Sequence, residues 1–219
     1  MKIKLLVWGF LAFSSFFLYG LVYGSSLEEV IDKAQDKTVK IGIVTSKGRG
    51  VCSGALISEG GEVLTCAHCF EHKGIKKVFM KTEAGVAIPM QLVGIDTAKD
   101  LALIAPQFYS GTFPYFKFGK ALRRGNLVMS LGSPLGIQRT VTIGHVANFV
   151  EKGCKILHSA FINPGNSGGP LIDRNGLLIG INEATLGIGL FQEAHGLYMA
   201  IALDVIKEFL GEDFNVDIR

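Results

Sequence analysis

Short apolar runs at close spacing, each ended by a turn, leave this chain few folds to adopt. Val39, Ile41 and Ile43 alternate with Lys40 and Gly42, and Gln91-Leu92-Val93-Gly94-Ile95 alternates in the same way. Further short apolar runs are Ala55 to Ile57, Val63-Leu64, Leu101 to Ile104, Leu127 to Met129, Thr140 to Val146 and Leu177 to Ile181. Turn residues punctuate them at Gly60-Gly61, Ser133-Pro134-Leu135-Gly136, Asn163-Pro164-Gly165-Asn166 and Arg174-Asn175-Gly176. Period two marks strands, and many short strands between Gly-rich turns predict a barrel or a sandwich. The hydrophobic share of 48% provides a sizeable core, and the 28 glycines follow no periodic repeat, which excludes collagen.

Helical spacing occurs only at the ends. Ser26-Leu27-Glu28-Glu29 reads as a capping box, and Leu27, Val30, Ile31 and Ala34 follow on one face, so a short helix is expected to end near Lys37. Val205, Ile206, Phe209 and Leu210 predict a second helix over about 203–210, with Gly211 as its C-cap. The extreme N-terminus is different again. Lys2 and Lys4 precede a stretch without charge from Leu5 to Gly24. Such a start is a cleaved secretory signal or a retained membrane anchor, and either predicts export. Membrane contact is expected only through residues 1–24, and residues 25–219 form the functional domain. Lys plus Arg is 22 against 19 acids, a balance too small to imply a nucleic-acid partner.

The segment that carries chemistry is Asn163-Pro-Gly-Asn-Ser-Gly-Gly-Pro170. Its glycines let the backbone take positive φ and let a substrate carbonyl approach bare amides. The Gly165 and Ser167 amides are candidates to share one oxyanion. A serine needs a base to take its proton, and the base needs an orienter. His68 stands at the end of an apolar run in Val63-Leu-Thr-Cys-Ala-His68, and Asp100 opens Asp100-Leu-Ala-Leu-Ile104. Taken singly, each is equally a tight turn, a structural histidine and a turn aspartate. The order histidine, aspartate, serine is the one used by chymotrypsin-type proteases.

With these blocks together, the sequence resembles the trypsin-like serine proteases, and among them the HtrA/Deg-type bacterial enzymes. The likeness spans nearly all of 26–211. It includes Cys52-Ser-Gly-Ala-Leu-Ile, the histidine and aspartate blocks, Leu131-Gly-Ser-Pro-Leu-Gly136, the serine block and Gly196-Leu-Tyr-Met-Ala-Ile. The resemblance implies a mostly β chain of two six-stranded antiparallel barrels with short helices at both ends. The first barrel would cover about 38–115 and the second about 120–201. It implies an endopeptidase with His68 as base, Asp100 as orienter, Ser167 as nucleophile, and an oxyanion hole along Gly165, Asn166 and Ser167. Asn166 stands where trypsin-like zymogens carry an aspartate that pairs with a new amino terminus, so activation by cutting is not expected. The resembling enzymes usually add PDZ domains, and after the terminal helix only 211–219 remain here. Protein or peptide substrates are implied, a trimer is left open, and no cofactor or metal is expected.

The same resemblance places Phe161 at the base of the pocket for the residue before the cut, with Gly196 on the opposite wall. That predicts cleavage after small or medium apolar residues. Glu183 is the rival feature, because alternation from Ile179 and Ile181 puts it on their face, where it would favour a basic residue. Cys66-Ala-His-Cys69 has the spacing of redox dithiols and zinc sites, and Cys52 and His68 would complete four ligands. The resemblance instead pairs Cys52 with Cys69 and leaves Cys66 and Cys154 over. His72, His145, His158 and His195 read as loop or strand-surface histidines. Two other functions stand beside the endopeptidase: a silent protease-like binding module and a thiol or zinc protein built on C-x-x-C.

Overall fold

The computed structural model describes residues 25–82, 85–108, 110–120, 122–183 and 196–213. The expected leader or anchor at 1–24 therefore lies outside the described residues, as does His195. Among the described residues no helix is long and apolar enough to cross a membrane.

Helix α1, Leu27–Gln35, starts where the serine predicts. Ser26 is extended, and its hydroxyl accepts the Glu29 amide at 3.3 Å. Val30 and Ala34 turn inward. Six strands follow: β1 Thr38–Thr45, β2 Arg49–Leu56, β3 Val63–Thr65, β4 Ile75–Lys81, β5 Ala87–Asp96 and β6 Leu101–Pro106. They close into an antiparallel barrel in the order β1-β2-β3-β6-β5-β4. A second closed barrel, β10-β11-β12-β9-β8-β7, uses β7 Leu127–Gly132, β8 Thr140–Val150, β9 Lys155–His158, β10 Pro170–Asp173, β11 Leu178–Glu183 and β12 Tyr198–Ala202. Closure leaves no unpaired edge in either sheet.

The segment between the barrels is pinned at both ends. Phe113 and Phe116 are buried against the first barrel, while the Gly119 amide donates to Leu178 and the Leu178 amide to Lys117. One apolar cluster runs from Ile41, Leu64 and Leu103 through Leu131 and Ile181 to Ile206, Phe209 and Leu210. Both barrels and both helices share it. A smaller cluster of Val128, Val146, Ile156, Leu171, Ile179 and Ala200 belongs to the second barrel.

Three local expectations are corrected. Helix α2 runs Leu203–Asp213, straight through Gly211, which lacks the positive φ of a C-cap. Packing of Ile206, Phe209 and Leu210 outweighs the ~1 kcal/mol helix penalty of a glycine. Ile179 and Ile181 do not share a face. Leu171 pairs with Gly180 but Ile172 with Leu178, so Ile179 is an extra residue in β11 and the alternation slips there. Glu183 keeps step with Ile181 alone.

His158 is the third. It lies on β9 opposite Tyr198 and Val146 and is fully buried. Burial pushes its pKa down to about 4, against the pull of the Ala160 and Met199 backbone. The imidazole is thus neutral in the fold. As pH falls from the ordinary histidine value of 6.5 towards 4, the unfolded chain takes up a proton that the native chain refuses. The associated stability, about 3 kcal/mol, is complete above pH 6.5 and is lost over that window. His158→Leu is expected to flatten the fall in urea midpoint between pH 7 and 4.5 relative to the parent.

Candidate active site

The end of β3 leads through Cys66 into a 3-10 turn, Ala67–Phe70, that carries His68. Asp100 lies just before β6. It adopts φ 56, a left-handed conformation that aspartate tolerates better than most residues. The turn aims both carboxylate oxygens at one partner. Oδ1 accepts the His68 amide at 2.9 Å, and Oδ2 lies 2.8 Å from His68 Nδ1. The Asp100 carbonyl also accepts the Ala67 amide at 3.2 Å. With its hydrogen on Nδ1, the ring keeps a lone pair on Nε2.

Charge reinforces this geometry. The Asp100 hydrogen bond raises the His68 pKa above its usual value; burial opposes the shift, and the charges of Asp100, Glu183 and Glu71 support it. Burial pushes the Asp100 carboxyl up, but the hydrogen bonds and charge of His68, with Lys155, hold it below the usual carboxylate value. Asp100 is therefore ionised at neutral pH.

The serine loop reaches the site from the second barrel. Ser167 is buried, and its carbonyl accepts the Ser53 amide from β2 at 2.8 Å. The Gly168 amide donates to Asn182, and the Asn182 amide to Gly169. Gly168 has φ +83 and lies so close to the Thr65 hydroxyl, the Ser53 carbonyl and the Cys66 amide that a side chain has no room. The loop is thus packed directly on the strand end that leads to His68.

Gly165 has φ +103. Its amide and that of Ser167 make no backbone hydrogen bond among the described residues, whereas the Asn166 amide donates to Asn163 at 2.9 Å. Of the three expected oxyanion donors, Asn166 is therefore occupied, because its amide closes the Asn163–Asn166 turn. Ser53, unremarked in the sequence reading, holds this loop. Its hydroxyl donates to the Gly165 carbonyl at 2.7 Å and accepts the Ser133 amide at 2.8 Å. The dipeptide Cys52-Ser53 gives no local signal, since both partners lie far along the chain.

Cys52 and Cys69 are joined by a disulfide with a sequence separation of 17, and Cys66 and Cys154 are free. Cys66 and Cys69 are thus not a dithiol, and the four-ligand zinc set of Cys52, Cys66, Cys69 and His68 does not exist. The bond ties β2 to the turn bearing His68 and is worth about 3 kcal/mol on chain-entropy grounds.

Phe161 is 49% exposed and sets its ring against the edge of Tyr198, with centroids 5.1 Å apart. Gly196 precedes β12 with φ +91. Glu183, at the end of β11, is bonded to Lys155 at 2.6 Å, with both side chains mostly buried (16% and 13% exposed). The Lys155 partner was not foreseen, because it sits two strands away in the sheet.

Comparison with known proteins agrees with this arrangement. The trypsin-like peptidase domain family matches residues 52–181. Serine protease HTRA1 of Xenopus tropicalis is 36% identical over 176 residues, covering 74% of this chain and 36% of that protein. A DegP-like periplasmic serine endoprotease of Chlamydia pneumoniae is 36% identical over 144 residues, covering 60% of this chain and 28% of the relative. The chain thus spans only about a third of the length of these relatives. Among solved structures, the HtrA-type protease AlgW with tripeptide superimposes with a TM-score of 0.73 at 27% identity, over 87% of this chain and 64% of that one. The family match, the two closed barrels and the ordered histidine, aspartate and serine blocks lead to one conclusion: this chain, similar to the HtrA-type proteases, belongs to the trypsin-like peptidase family.

Proposed function

We propose that the protein is an exported serine endopeptidase that works through His68, Asp100 and Ser167. The observation that carries this reading is the Asp100 carboxylate, which grips the amide and the ring of His68 together at 2.9 and 2.8 Å. His68 accepts the Ser167 proton at Nε2 as Oγ attacks the scissile carbonyl, then returns it to the leaving amine. Asp100 fixes the tautomer and stabilises the imidazolium. The Gly165 and Ser167 amides receive the developing oxyanion. Water repeats the sequence to release the acyl group.

Export is supported by the Lys-flanked apolar start, by the disulfide, and by the periplasmic assignment in the name of the Chlamydia relative. Cleavage after small or medium apolar residues is supported by Glu183, whose charge is already met by Lys155. A substrate cation would have to displace that lysine in a poorly solvated site. Phe161 and Gly196 are the proposed pocket residues. The test uses a fluorophosphonate probe and then a peptide library. Labelling is expected in the parent and absent in Ser167→Ala, and cleavage is expected after Val, Ala, Ile or Leu. Labelling that persists in Ser167→Ala would sink the mechanism. Dominant cleavage after Arg or Lys would sink the pocket assignment alone.

A further inference from the structure

Cys66 is the one chemistry-bearing residue beside the His68–Asp100 pair that the proposed reaction leaves unused. It is fully buried, and its thiol donates weakly to the Asn182 carbonyl at 3.4 Å, beside the Asp100 carboxylate and the Gly168 amide. A thiol sulfur, an imidazole nitrogen and a carboxylate oxygen from Cys66, His68 and Asp100 all lie within 4.8 Å of one another. We propose that these three residues form an inhibitory site for a thiophilic divalent cation of the zinc class.

The donor set is the argument. Sulfur, nitrogen and oxygen from three side chains suit a zinc-class ion, whose tetrahedral set a water would complete. Oxygen-seeking cations such as Mg2+ and Ca2+ have no use for a thiol. A thiolate and a carboxylate together cancel the charge of a dication, so the filled site is neutral in a poorly solvated cleft. The exchange balances without any redox partner. The Cys66 S–H bond breaks, the proton leaves to solvent, and a sulfur–metal bond forms. The ring nitrogen facing Asp100 is Nδ1. As the ion takes the Nδ1 lone pair, the hydrogen there moves to Nε2, the atom that would accept the Ser167 proton, so the base is lost while the ion stays. The site differs from the C-x-x-C zinc motif, because Cys52 and Cys69 are bonded to each other.

Inhibition rests on the endopeptidase reading; cation binding does not, and the experiment separates them. The exposed thiol of Cys154 would also take up metal, so an untagged Cys154→Ser chain is the starting protein. Co2+ added to this chain is expected to produce the near-ultraviolet thiolate-to-metal absorption band at one ion per chain. Adding Cys66→Ala should abolish the band. Zn2+ should inhibit peptide hydrolysis by the starting protein, Mg2+ should not, and Cys66→Ala should raise the half-inhibiting Zn2+ concentration at least about tenfold while leaving the metal-free rate in place. A missing band, a band that survives Cys66→Ala, or Zn2+ inhibition unchanged by it would overturn the proposal. A chain that shows the band but hydrolyses nothing when metal-free would overturn the endopeptidase reading and keep the cation site.

Discussion

Replacing Ser167 or His68 by alanine is expected to lower kcat by about 10⁶, and replacing both should cost little more than either alone. In the proposed mechanism the two residues act as one proton-transfer unit. Without His68 the hydroxyl keeps its proton, and without Ser167 the base has nothing to deprotonate. The residual rate in all three variants would come from binding and from the Gly165 and Ser167 amides, so it should be alike. Steady-state kinetics on one peptide substrate measures this, and losses that multiply in the double variant would contradict a single unit. Ser167→Ala should leave the urea midpoint nearly unchanged, because the loop is held by backbone bonds to Ser53 and Asn182.

Asp100→Asn should lower kcat by about 10⁴ without unfolding the chain. Asparagine also tolerates the left-handed backbone at φ 56, and its carbonyl oxygen can still accept the His68 amide. Its NH2 group then faces Nδ1, where the carboxylate had accepted a hydrogen. The ring must move that hydrogen to Nε2, the atom that should receive the serine proton. The pH profile supplies a second reading. In the parent, Asp100 raises the His68 pKa, with Glu183 and Glu71 adding to it. Activity needs neutral His68, so the acidic limb should lie above the ordinary histidine value of 6.5 and be lost as pH falls through it. The same raised value favours the protonated native state, so this group's contribution to stability is complete below 6.5 and is lost as pH rises through the folded value. In Asp100→Asn the kinetic limb should move to lower pH. A limb that stays in place would show that Asp100 does not set the base.

The barrels were legible in the sequence as a cadence of short strands, and their pairing into two closed sheets came from the ordered blocks rather than from any one run. His68, Asp100 and the serine loop stood out because each sits at a strand end beside glycine or an apolar run. What stayed hidden depends on partners far along the chain. Nothing near Ser53 announces Ser133 or Gly165, which are 80 and 112 residues away. Lys155 meets Glu183 only because β12 lies between their strands in the sheet. His158 reads as a surface histidine because alternation gives a face but not what covers it. Ile179 breaks the alternation through a pairing slip that leaves no mark in local composition. Gly211 shows the reverse, a clear local stop signal overridden by packing.

The split of the proposed machinery between the barrels also bears on when a newly made chain would become dangerous to its neighbours. His68 and Asp100 belong to the half synthesised first, and Ser167 to the half that follows. A ribosome-bound chain with only its first barrel folded holds a base with no hydroxyl to deprotonate. A second barrel that folds before docking holds a serine loop without the Ser53 grip on Gly165. Contacts this distant in sequence form late, after the loop-closure entropy of both barrels has been met. On the proposed mechanism, cutting power would therefore arrive with the last step of maturation, the mating of two inert halves.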